Sequence, residues 1–366
     1  MTKWSLALLL GSLALTSISA SSAVLTATTS TELSSVLRSV QGGDTIALSG
    51  TFGLTAIKYH NRSSTVTLDA TKATFTDSLA LSNLSNFTVI GGHFGSPTAA
   101  ETYGEAIYIN KVDRVAFVSP TVIGNFITAG IGVIGSTNIT VTGGTFSHIH
   151  KAIGLNGVTG VTIADNVVTG STGDGFQVAD SHNVSLVSNQ CIGSTPLVGD
   201  HPDCIQLWSV VGHSPVSDIV IRGNYATGST QGFTEFNHAQ GGALRITVTG
   251  NTIAGYFPQG IACYDCVDST ITDNTLISLA GAAHVVNLNV IGGQNTVVAG
   301  NRLIGYDRTK AQSTRYWTLA ELTGGTDPVG GAVAAVPEPA MWATMLAGFG
   351  LVGAQRRRQR ALTVSY

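Results

Sequence analysis

One eight-residue phrase recurs along the chain and decides the fold. It reads Ile139-Thr-Val-Thr-Gly-Gly-Thr-Phe146, then Val161-Thr-Ile-Ala-Asp-Asn-Val-Val168, and later Ile246-Thr-Val-Thr-Gly-Asn-Thr-Ile253. Apolar and polar residues alternate on either side of a Gly or an Asn, which is the period-two signature of strands with one face in a core. Gly and Asn tolerate left-handed backbone angles and therefore favour turns. The phrase predicts a strand, a tight turn and a second strand.

The turn residue of this phrase recurs at a regular spacing. Successive turn residues are 22, 23, 35, 27, 23 and 27 residues apart, at Gly144, Asn166, Asn189, Asn224, Asn251, Asn274 and Asn301. A base period near 22 with insertions is typical of one coil of a solenoid. A second strand lies between the copies, and its apolar column is Ile153, Phe176, Ile205, Phe233 and Ile261. Because both columns repeat in step, the sequence predicts an all-β, single-stranded right-handed parallel β-helix over residues 24–306.

The N-terminal end of this solenoid is predicted to carry a short capping helix. Thr29-Ser-Thr-Glu32 has the form of a capping box, and apolar residues at helical spacing follow it up to Val40. Gly42-Gly43 then ends the helix before the first coil. We expect an amphipathic helix that closes the open end of the sheet.

Taken together, these features resemble the pectin-lyase-like family of right-handed β-helix proteins over residues 30–306. The resemblance implies the fold and a range of functions: polysaccharide lyases, glycoside hydrolases, uronate epimerases and non-catalytic surface proteins. The paired Asp-Asp with a downstream Arg-Ile-Lys of polygalacturonases is missing. So are the Arg-Xaa-Pro-Xaa-Xaa-Arg run of pectate lyases and Gly-Gly-Xaa-Gly-Xaa-Asp calcium repeats. The resemblance therefore predicts the fold but does not single out one reaction.

The composition and the N-terminus indicate one elongated exported domain. Charged residues make up only 11% of the chain, Gly numbers 44, and the net charge of −3 offers no field for nucleic acid. Residues 1–23 read as a signal peptide, with Lys3 before the apolar run Leu6–Leu15 and small residues up to Ala23. We expect export across the inner membrane, followed by residence at the cell surface or secretion.

The C-terminus resembles a sorting signal. After an extension and Gly/Ala-rich linker over residues 307–335, Pro337-Glu338-Pro339 precedes the apolar run Ala340–Ala354 and the basic Arg356, Arg357 and Arg358. This order, over residues 336–366, resembles the PEP-CTERM tails that exosortases of Gram-negative bacteria process. The alternative is a lone membrane helix held by its arginines, although ~15 apolar residues are fewer than the ~20 that a bilayer requires. Either way, only this hydrophobic tail helix is expected to meet the membrane, and exosortase is an expected partner.

The four cysteines suggest disulfides in an exported protein. Cys191 and Cys204 flank the longest insertion between turns, so we expect a bridge at the base of this loop, the alternative being two small buried hydrophobes. Cys263 and Cys266 are predicted either to form a second bridge or to be two core thiols. A zinc site there lacks its other ligands in the sequence.

Chemistry is predicted on one face of the solenoid. The register places Lys151, Asp174 and Asp203 just before the same strand on neighbouring coils, beside the loop residue His201. Coils ~4.8 Å apart would bring the two aspartates close enough to raise one pKa or to invite a cation such as Ca²⁺. These four residues are the predicted acid, base and carboxylate-neutralising groups. Outward amides and aromatics on the same face would bind a sugar polymer: Gln177, Gln206, Trp208, Phe236 and Tyr264.

Each of these residues also has a plainer explanation. Asp174-Gly175 is a common turn dipeptide, His201 before Pro202 can simply shape its loop, and Lys151 can be a solvated side chain. The aromatics can pack under loops, and Glu235 can be an inward residue satisfied locally. The function expected from the sequence is therefore an exported protein that binds or cleaves an acidic polysaccharide, with a lyase or epimerase favoured over a hydrolase. The alternatives are a non-catalytic adhesin or matrix component and a structural spacer.

Overall fold

Each coil of the chain converts the alternation of apolar and polar residues into short strands that pair with the coils before and after it. The computed structural model describes residues 22–99, 101–237 and 242–305. In these residues the chain forms a right-handed parallel β-helix of about 12 turns with almost no helix, which confirms the predicted fold class.

The secondary structure begins with a strand, continues with one helix and then consists of strands. The elements are β1 (Val24–Ala27), α1 (Ser30–Ser39), β2 (Thr45–Phe52), β3 (Thr55–Lys58), β4 (Asn61–Phe75), β5 (Leu79–Ser82), β6 (Ser85–Ile90), β7 (His93–Phe94), β8 (Glu105–Asn110), β9 (Asp113–Val118), β10 (Thr121–Ile123), β11 (Ala129–Ile134), β12 (Thr137–Thr142), β13 (Thr145–Ser147), β14 (Lys151–Asn156), β15 (Thr159–Ala164), β16 (Val167–Thr169), β17 (Phe176–Ala179), β18 (His182–Val187), β19 (Gln190–Ser194), β20 (Asp203–Trp208), β21 (Ser217–Arg222), β22 (Tyr225–Gly228), β23 (Gln231–Glu235), β24 (Leu244–Thr249), β25 (Thr252–Gly255), β26 (Gln259–Tyr264), β27 (Thr270–Thr272), β28 (Thr275–Ser278), β29 (Asn287–Ile291), β30 (Val297–Ala299) and β31 (Arg302–Ile304).

The strands form two parallel sheets along the solenoid. The larger sheet has 21 strands in two columns, which the long strand β4 joins because it pairs with both β6 and β7. The second sheet has ten strands and is called here the ten-stranded face. It runs through β3, β5, β8, β11, β14, β17, β20, β23, β26 and β29.

The core is built from stacked columns of identical or similar side chains. On the ten-stranded face, Ile153 pairs with Phe176, Phe176 with Ile205 and Ile205 with Phe233 in neighbouring strands, as the sequence predicted. In the larger sheet, the rings of successive phenylalanines stack with centroids 5.0 and 4.9 Å apart, at Phe52, Phe75 and Phe94. Such columns bury apolar surface continuously along the axis, which stabilises a solenoid whose coils contact only their neighbours.

A column of buried asparagines, called here the asparagine ladder, connects the coils at the predicted turn. Its members are Asn166, Asn189, Asn224, Asn251, Asn274 and Asn301. Asn166 Nδ2 donates to Asn189 Oδ1 at 2.9 Å, and the same carboxamide oxygen accepts the backbone N–H of Asn166 at 3.1 Å. Asn189 Nδ2 also donates to the carbonyl of Ile163 at 2.9 Å. Each turn is thus held by side-chain hydrogen bonds that replace those the bent backbone cannot make.

The helix α1 covers the N-terminal end of the solenoid and buries Leu33 and Leu37. Thr29 is its N-cap, and its hydroxyl accepts the N–H of Glu32 at 3.1 Å. The reciprocal arm of the capping box differs from the expectation, because the Glu32 carboxylate accepts from the backbone and hydroxyl of Thr28, one residue earlier. At the other end, the last described coil leaves Val298 and Leu303 about half exposed, at 46% and 52%.

Several expectations concern residues that the structure does not describe. Most of the predicted signal peptide, the linker and the predicted hydrophobic tail helix lie outside the described residues. Among those that are described, no helix is long and apolar enough to span a membrane.

Candidate functional site

The predicted site lies on three neighbouring strands of the ten-stranded face, β14, β17 and β20. We call Lys151, Asp174, Gln177, Asp203 and Gln206 the polar cluster. Gln177 pairs directly with Gln206 in the register of β17 and β20. Asp174 precedes β17, whereas Lys151 and Asp203 open their strands. The parallel stacking of coils of nearly equal length therefore brings all five side chains together.

A continuous chain of hydrogen bonds joins the polar cluster. Lys151 Nζ donates to Gln177 Oε1, and Gln177 Nε2 donates to Gln206 Oε1 at 2.8 Å. Gln206 Nε2 in turn donates to Asp203 Oδ2 at 2.9 Å. The two amides therefore connect an ammonium group to a carboxyl group across three coils.

Asp174 bonds to the next coil and not only within its own turn. Its Oδ1 accepts the backbone N–H of Asp203 at 3.0 Å, and its Oδ2 accepts from Gln177 Nε2 at 3.3 Å. Gly175 has a packing reason of its own, since a Cβ there would lie 2.6 Å from Cys191 Sγ. The Asp-Gly pair thus serves the contact between coils as well as the turn.

Burial shifts the proton affinities of the cluster in opposite directions. Asp203 is completely buried, and desolvation together with the Asp174 carboxylate raises its pKa well above the ordinary range, against weaker effects of Thr234 and Gln206. Burial lowers the pKa of Lys151, partly offset by the charges of Asp174 and Glu105. An acid that holds its proton more tightly and an amine that holds it less tightly is the arrangement from which general acid–base pairs are built.

Three buried oxygen atoms beside Asp203 have no hydrogen bond of normal geometry within the described part of the chain. They are Asp203 Oδ1, Gln231 Oε1 and Thr234 Oγ1. Asp203 is aligned with Gln231 between β20 and β23, and Gln206 is aligned with Thr234. Buried polar atoms are nearly always paired, so these oxygens mark an unsatisfied polar spot beneath the cluster, closed to a polymer by its burial. Ca²⁺, which prefers carboxylate, carbonyl and hydroxyl oxygens, is the cation that they would suit.

The loop before β20 contributes two further titratable groups. His201 Nδ1 lies 4.0 Å from Asp203 Oδ2, and its side chain is only 11% exposed. Burial raises the pKa of Asp200, opposed by His150 and reinforced by Asp174. Cys191 and Cys204, which flank this loop, form a disulfide with a Cα–Cα distance of 5.6 Å. The bridge lies in the core, so it fixes the loop to the inside of the solenoid.

The predicted aromatic residues lie at the far end of β20, β23 and β26 on the same face. Phe236 and Tyr264 pack edge to face with ring centroids 5.0 Å apart. Trp208 is half-buried, and its Nε1 has no hydrogen-bond partner among the described residues. Since Asp203 and Trp208 are the first and last residues of β20, the aromatics lie about 16 Å from the acids at the usual strand rise. The structure therefore places them on the same face but not in contact with the cluster.

Sequence reasoning missed the groups that extend the face toward the N-terminus. Glu105 lies across Gly132 of the neighbouring strand and Lys151 folds over Gly154 of its own strand, since a Cβ on Gly132 would be 2.9 Å from Glu105 Cγ and one on Gly154 3.3 Å from Lys151 Cδ. Beyond them Tyr103 stacks on Tyr108 with centroids 4.8 Å apart, a further aromatic surface. The signal was the pair of glycines, because both stand in register with Gln177 where the neighbouring coils carry long side chains.

A second buried group lies in the core one coil beyond β20. Glu235 occupies a core position between Leu207 and Cys263 in the register, so it is the inward residue that the sequence suggested. Its Oε1 accepts the N–H of Asn237 at 2.6 Å and its Oε2 that of Tyr264 at 3.1 Å. Burial raises its pKa to about 8, despite these two backbone hydrogen bonds and with a further contribution from Asp265. Cys263 and Cys266 beside it are joined by a disulfide.

An open groove lies elsewhere in the described residues. It has a volume of about 470 Å³ and lies at the corner after β5, β8 and β11. Lys111 and Arg114 contribute its cations, and Asn83, Asp113 and Thr137 contribute polar groups. Hydrogen bonds, first that from Asn138, lower the pKa of Asp113 in this groove, whereas burial raises the pKa of Asp203 on the ten-stranded face.

Comparisons with known proteins agree with this architecture. Residues 59–244 match the family described as periplasmic copper-binding protein (NosD), and residues 335–359 match the PEP-CTERM protein-sorting motif. Both matches imply an exported protein, and the motif implies processing by an exosortase. The chain matches none of the curated proteins with which it was compared.

Solved structures share the fold at low sequence identity. An alginate lyase from Paenibacillus sp. str. FPU-7 is 15% identical, with a TM-score of 0.55, over 75% of this chain and 99% of that one. PfbA, a surface adhesin of Streptococcus pneumoniae, is 11% identical, with a TM-score of 0.51, over 72% of this chain and 81% of that one. Likeness at these identities establishes the β-helix and leaves the reaction to be argued from the site.

Proposed function

The chain belongs to the NosD family, and we propose that it binds an acidic polysaccharide along its ten-stranded face and acts on uronate residues as a lyase or epimerase. The hydrogen-bonded chain from Lys151 through Gln177 and Gln206 to Asp203 carries this proposal. Both candidate reactions begin with removal of the proton beside a uronate carboxylate. That step requires a base and a group that neutralises the carboxylate.

The cluster supplies both requirements. Lys151, whose pKa burial lowers, is the group that accepts the proton. Gln177 and Gln206 are half-buried amides whose N–H groups hydrogen-bond carboxylates already present, and they would bond a uronate carboxylate in the same way. Asp203 is too deeply buried to touch a polymer. Its carboxyl group accepts from Gln206 and its backbone N–H donates to Asp174, so its role is to hold these two side chains in position. Asp174 and His201 remain at the surface side of the cluster, where His201 is the candidate proton donor to the departing oxygen and the Asp174 carboxylate orients Gln177.

Copper, which the family description names, does not fit the metal-ligating side chains that the described structure brings together. The described residues contain one group of side chains with metal-ligating atoms close together, namely Glu235, Cys263 and Cys266. Copper sites use thiolate, thioether or imidazole ligands. Both sulfurs here are joined in a disulfide, so in this state they are not thiolates. The proposed reaction accordingly uses the residues of the polar cluster alone.

The test is to incubate the purified chain with alginate, pectate and gellan-type polymers while following the absorbance of unsaturated products and the epimer composition. We expect turnover of one polymer that falls at least about 100-fold in Lys151→Ala. Lys58→Ala is the matched control, since Lys58 lies on the same face, is exposed and is remote from the cluster. Absence of any product, or equal turnover in Lys151→Ala and Lys58→Ala, would leave the reaction without support.

A non-catalytic adhesin or matrix component is the second candidate, favoured by the burial of Asp203 and by the open groove at Lys111 and Arg114. In that case the polymer binds without turnover, and binding survives Asp203→Ala but is lost in Trp208→Ala or in Arg114→Ala. Isothermal titration with each polymer separates the two functions, because an enzyme converts the bound polymer into product whereas an adhesin leaves it unchanged.

We also propose that the sorting motif directs the chain to the cell surface or releases it after exosortase cleavage. The support is the match at residues 335–359. Replacing Glu338 by Ala should leave the unprocessed chain in the membrane fraction, which immunoblotting of cell fractions detects. Unchanged mass and location in this variant would remove that role from the motif.

A further inference from the structure

The buried Glu235, Cys263 and Cys266 form a compact group that neither the fold nor the proposed reaction requires, and we call it the cysteine–glutamate cluster. Its carboxylate oxygen and two sulfurs all lie within 4.8 Å of one another, and Cys266 Sγ is 3.7 Å from Glu235 Oε2. All three side chains are at most 3% exposed. Other coils place aliphatic residues at the level of Glu235, such as Val178 and Leu207. A carboxyl group at this core position is costly to bury.

The geometry points to a thiophilic metal site that opens when the Cys263–Cys266 disulfide is reduced. Two sulfurs separated by two residues are the commonest spacing of paired metal ligands, and zinc accepts two thiolates together with a carboxylate oxygen. The sequence alone offered only the two cysteines. The third ligand comes from the preceding coil, because β23 and β26 align Glu235 with Cys263.

The redox step can be written with its atoms balanced. A small dithiol reductant transfers two electrons and two protons to the disulfide, the Cys263–Cys266 bond breaks, and the reductant becomes a disulfide itself. A metal ion then displaces both thiol protons to solvent and forms two sulfur–metal bonds. Glu235 supplies the third ligand through Oε2, the oxygen that already faces Cys266. In the oxidised state the two sulfurs form only a disulfide that crosslinks Cys263 and Cys266 within one coil.

The surroundings of the cluster suit an enclosed site. Along β23 and β26 the next residues are Phe236 and Tyr264, which point to the opposite side of the strands from Glu235 and Cys263 and pack edge to face. The neighbouring core is apolar, with Leu207, Phe233 and Ile261 around a small void. An apolar shell limits hydration of a bound ion and strengthens its bonds to charged ligands.

The chain contains its own matched control, the disulfide between Cys191 and Cys204. It is equally buried, but no His, Asp or Glu in the described residues lies close enough to its sulfurs to complete a three-ligand group. Reduction of the whole chain therefore exposes two thiol pairs, of which only one has a carboxylate within reach.

The experiment titrates the full chain, reduced with a dithiol and freed of it under anaerobic conditions, with Co²⁺ and then with competing Zn²⁺. A parallel arm uses Cu⁺ buffered by a chelator. We expect one equivalent of metal per chain with a thiolate-to-cobalt absorption band, and no binding by the oxidised chain. Cys263→Ser with Cys266→Ser should abolish binding, whereas Cys191→Ser with Cys204→Ser should retain it. Glu235→Gln should weaken Zn²⁺ and Co²⁺ about tenfold or more and Cu⁺ much less, since Cu⁺ is satisfied by sulfur.

A second measurement on the unmodified sequence guards against variants that fail to fold. Bound metal should slow alkylation of Cys263 and Cys266 relative to the metal-free reduced chain and leave the rate at Cys191 and Cys204 unchanged, which mass spectrometry of the peptides resolves. The proposal is overturned if the reduced chain binds no metal, or if metal changes the alkylation rates of both cysteine pairs equally. Retention of metal by the Cys263→Ser, Cys266→Ser variant would overturn it as well.

Discussion

The asparagine ladder and Asp203 of the polar cluster are equally hidden from solvent but differently satisfied. Asn166, Asn189 and Asn274 are completely buried, and so is Asp203. In the ladder each carboxamide accepts from the previous coil and donates to a backbone carbonyl, as Asn189 does toward Asn166 and Ile163. Beside the polar cluster, Asp203 Oδ1 and its neighbour Gln231 Oε1 have no hydrogen bond among the described residues.

The difference shows which buried polar groups stabilise the fold and which remain available for chemistry. A fully satisfied network rigidifies the structure around it, whereas an unsatisfied buried oxygen costs free energy and persists only if something else favours it. Burial alone would have classed both groups as structural. This contrast can be tested with substitutions. They should change the free energy of unfolding in opposite directions in the asparagine ladder and in the polar cluster.

The largest effect is expected in the ladder, for Asn189→Ala. The change removes the acceptor for the N–H and the amide of Asn166 and the donor to Ile163, and leaves all of these buried. Unpaired buried groups cost about 1–3 kcal/mol each, so we expect a loss on the order of 4 kcal/mol in the free energy of unfolding. Urea denaturation followed by circular dichroism measures it. Asn156→Ala, at an exposed position on the preceding coil, is the control and should change little.

The next largest effect is the pH dependence that Glu235 imposes. Its pKa is raised from 4.5 to about 8 by burial, so the folded state retains a proton that the unfolded state releases. Its contribution to stability is therefore complete below about pH 4.5 and is lost as the pH rises through about 8. We expect the difference in unfolding free energy between wild type and Glu235→Gln to shift by roughly 4 kcal/mol between these limits. A difference that stays constant with pH would contradict the assignment.

The contrast between these two sites also explains what could be predicted from the sequence. The turn at Asn189 follows from a local phrase, because the alternation and the Gly or Asn belong to adjacent residues. The partners of a side chain on another coil depend on the lengths of the intervening loops. Gln177 and Gln206 were aligned correctly, since their short strands repeat in step. The position of Glu235 as a third ligand was missed, because it lies 28 residues from Cys263 and is adjacent only through the register.

Burial was the other property that the sequence did not reveal. Asp203 was expected to face a polymer as an acid or base, but it lies fully buried below the amides. The first residue of a strand stands at a corner of the coil, where the period-two pattern no longer determines which way a side chain points. Glu105 was missed for a similar reason, since only the absence of a side chain at Gly132 shows that it lies along the sheet.

A smaller effect of opposite sign is expected for Asp203→Asn. The amide keeps an acceptor for Gln206 Nε2 and removes a carboxyl group whose ionisation burial and Asp174 disfavour. At neutral pH we expect the variant to be as stable as wild type or more stable by up to about 1 kcal/mol, whereas polymer turnover falls. Thermal unfolding at about pH 7 measures the first and the product assay the second. A large loss of stability would place Asp203 with the ladder as a structural residue.

The smallest effect on stability should come from Gly154→Ala, which separates positioning from folding. The new Cβ would lie 3.3 Å from Lys151 Cδ and 3.7 Å from its Nζ, so the lysine must lift from the sheet, away from Gln177. Because the lysine is flexible and the backbone of Gly154 needs no left-handed angle, we expect a change below about 1 kcal/mol in unfolding free energy. Polymer turnover should nevertheless fall about tenfold, as misplaced catalytic groups lose rate steeply. Unchanged turnover would mean that the contact between Lys151 and Gln177 is incidental, and the role of the amide chain would then be structural, like that of the asparagine ladder.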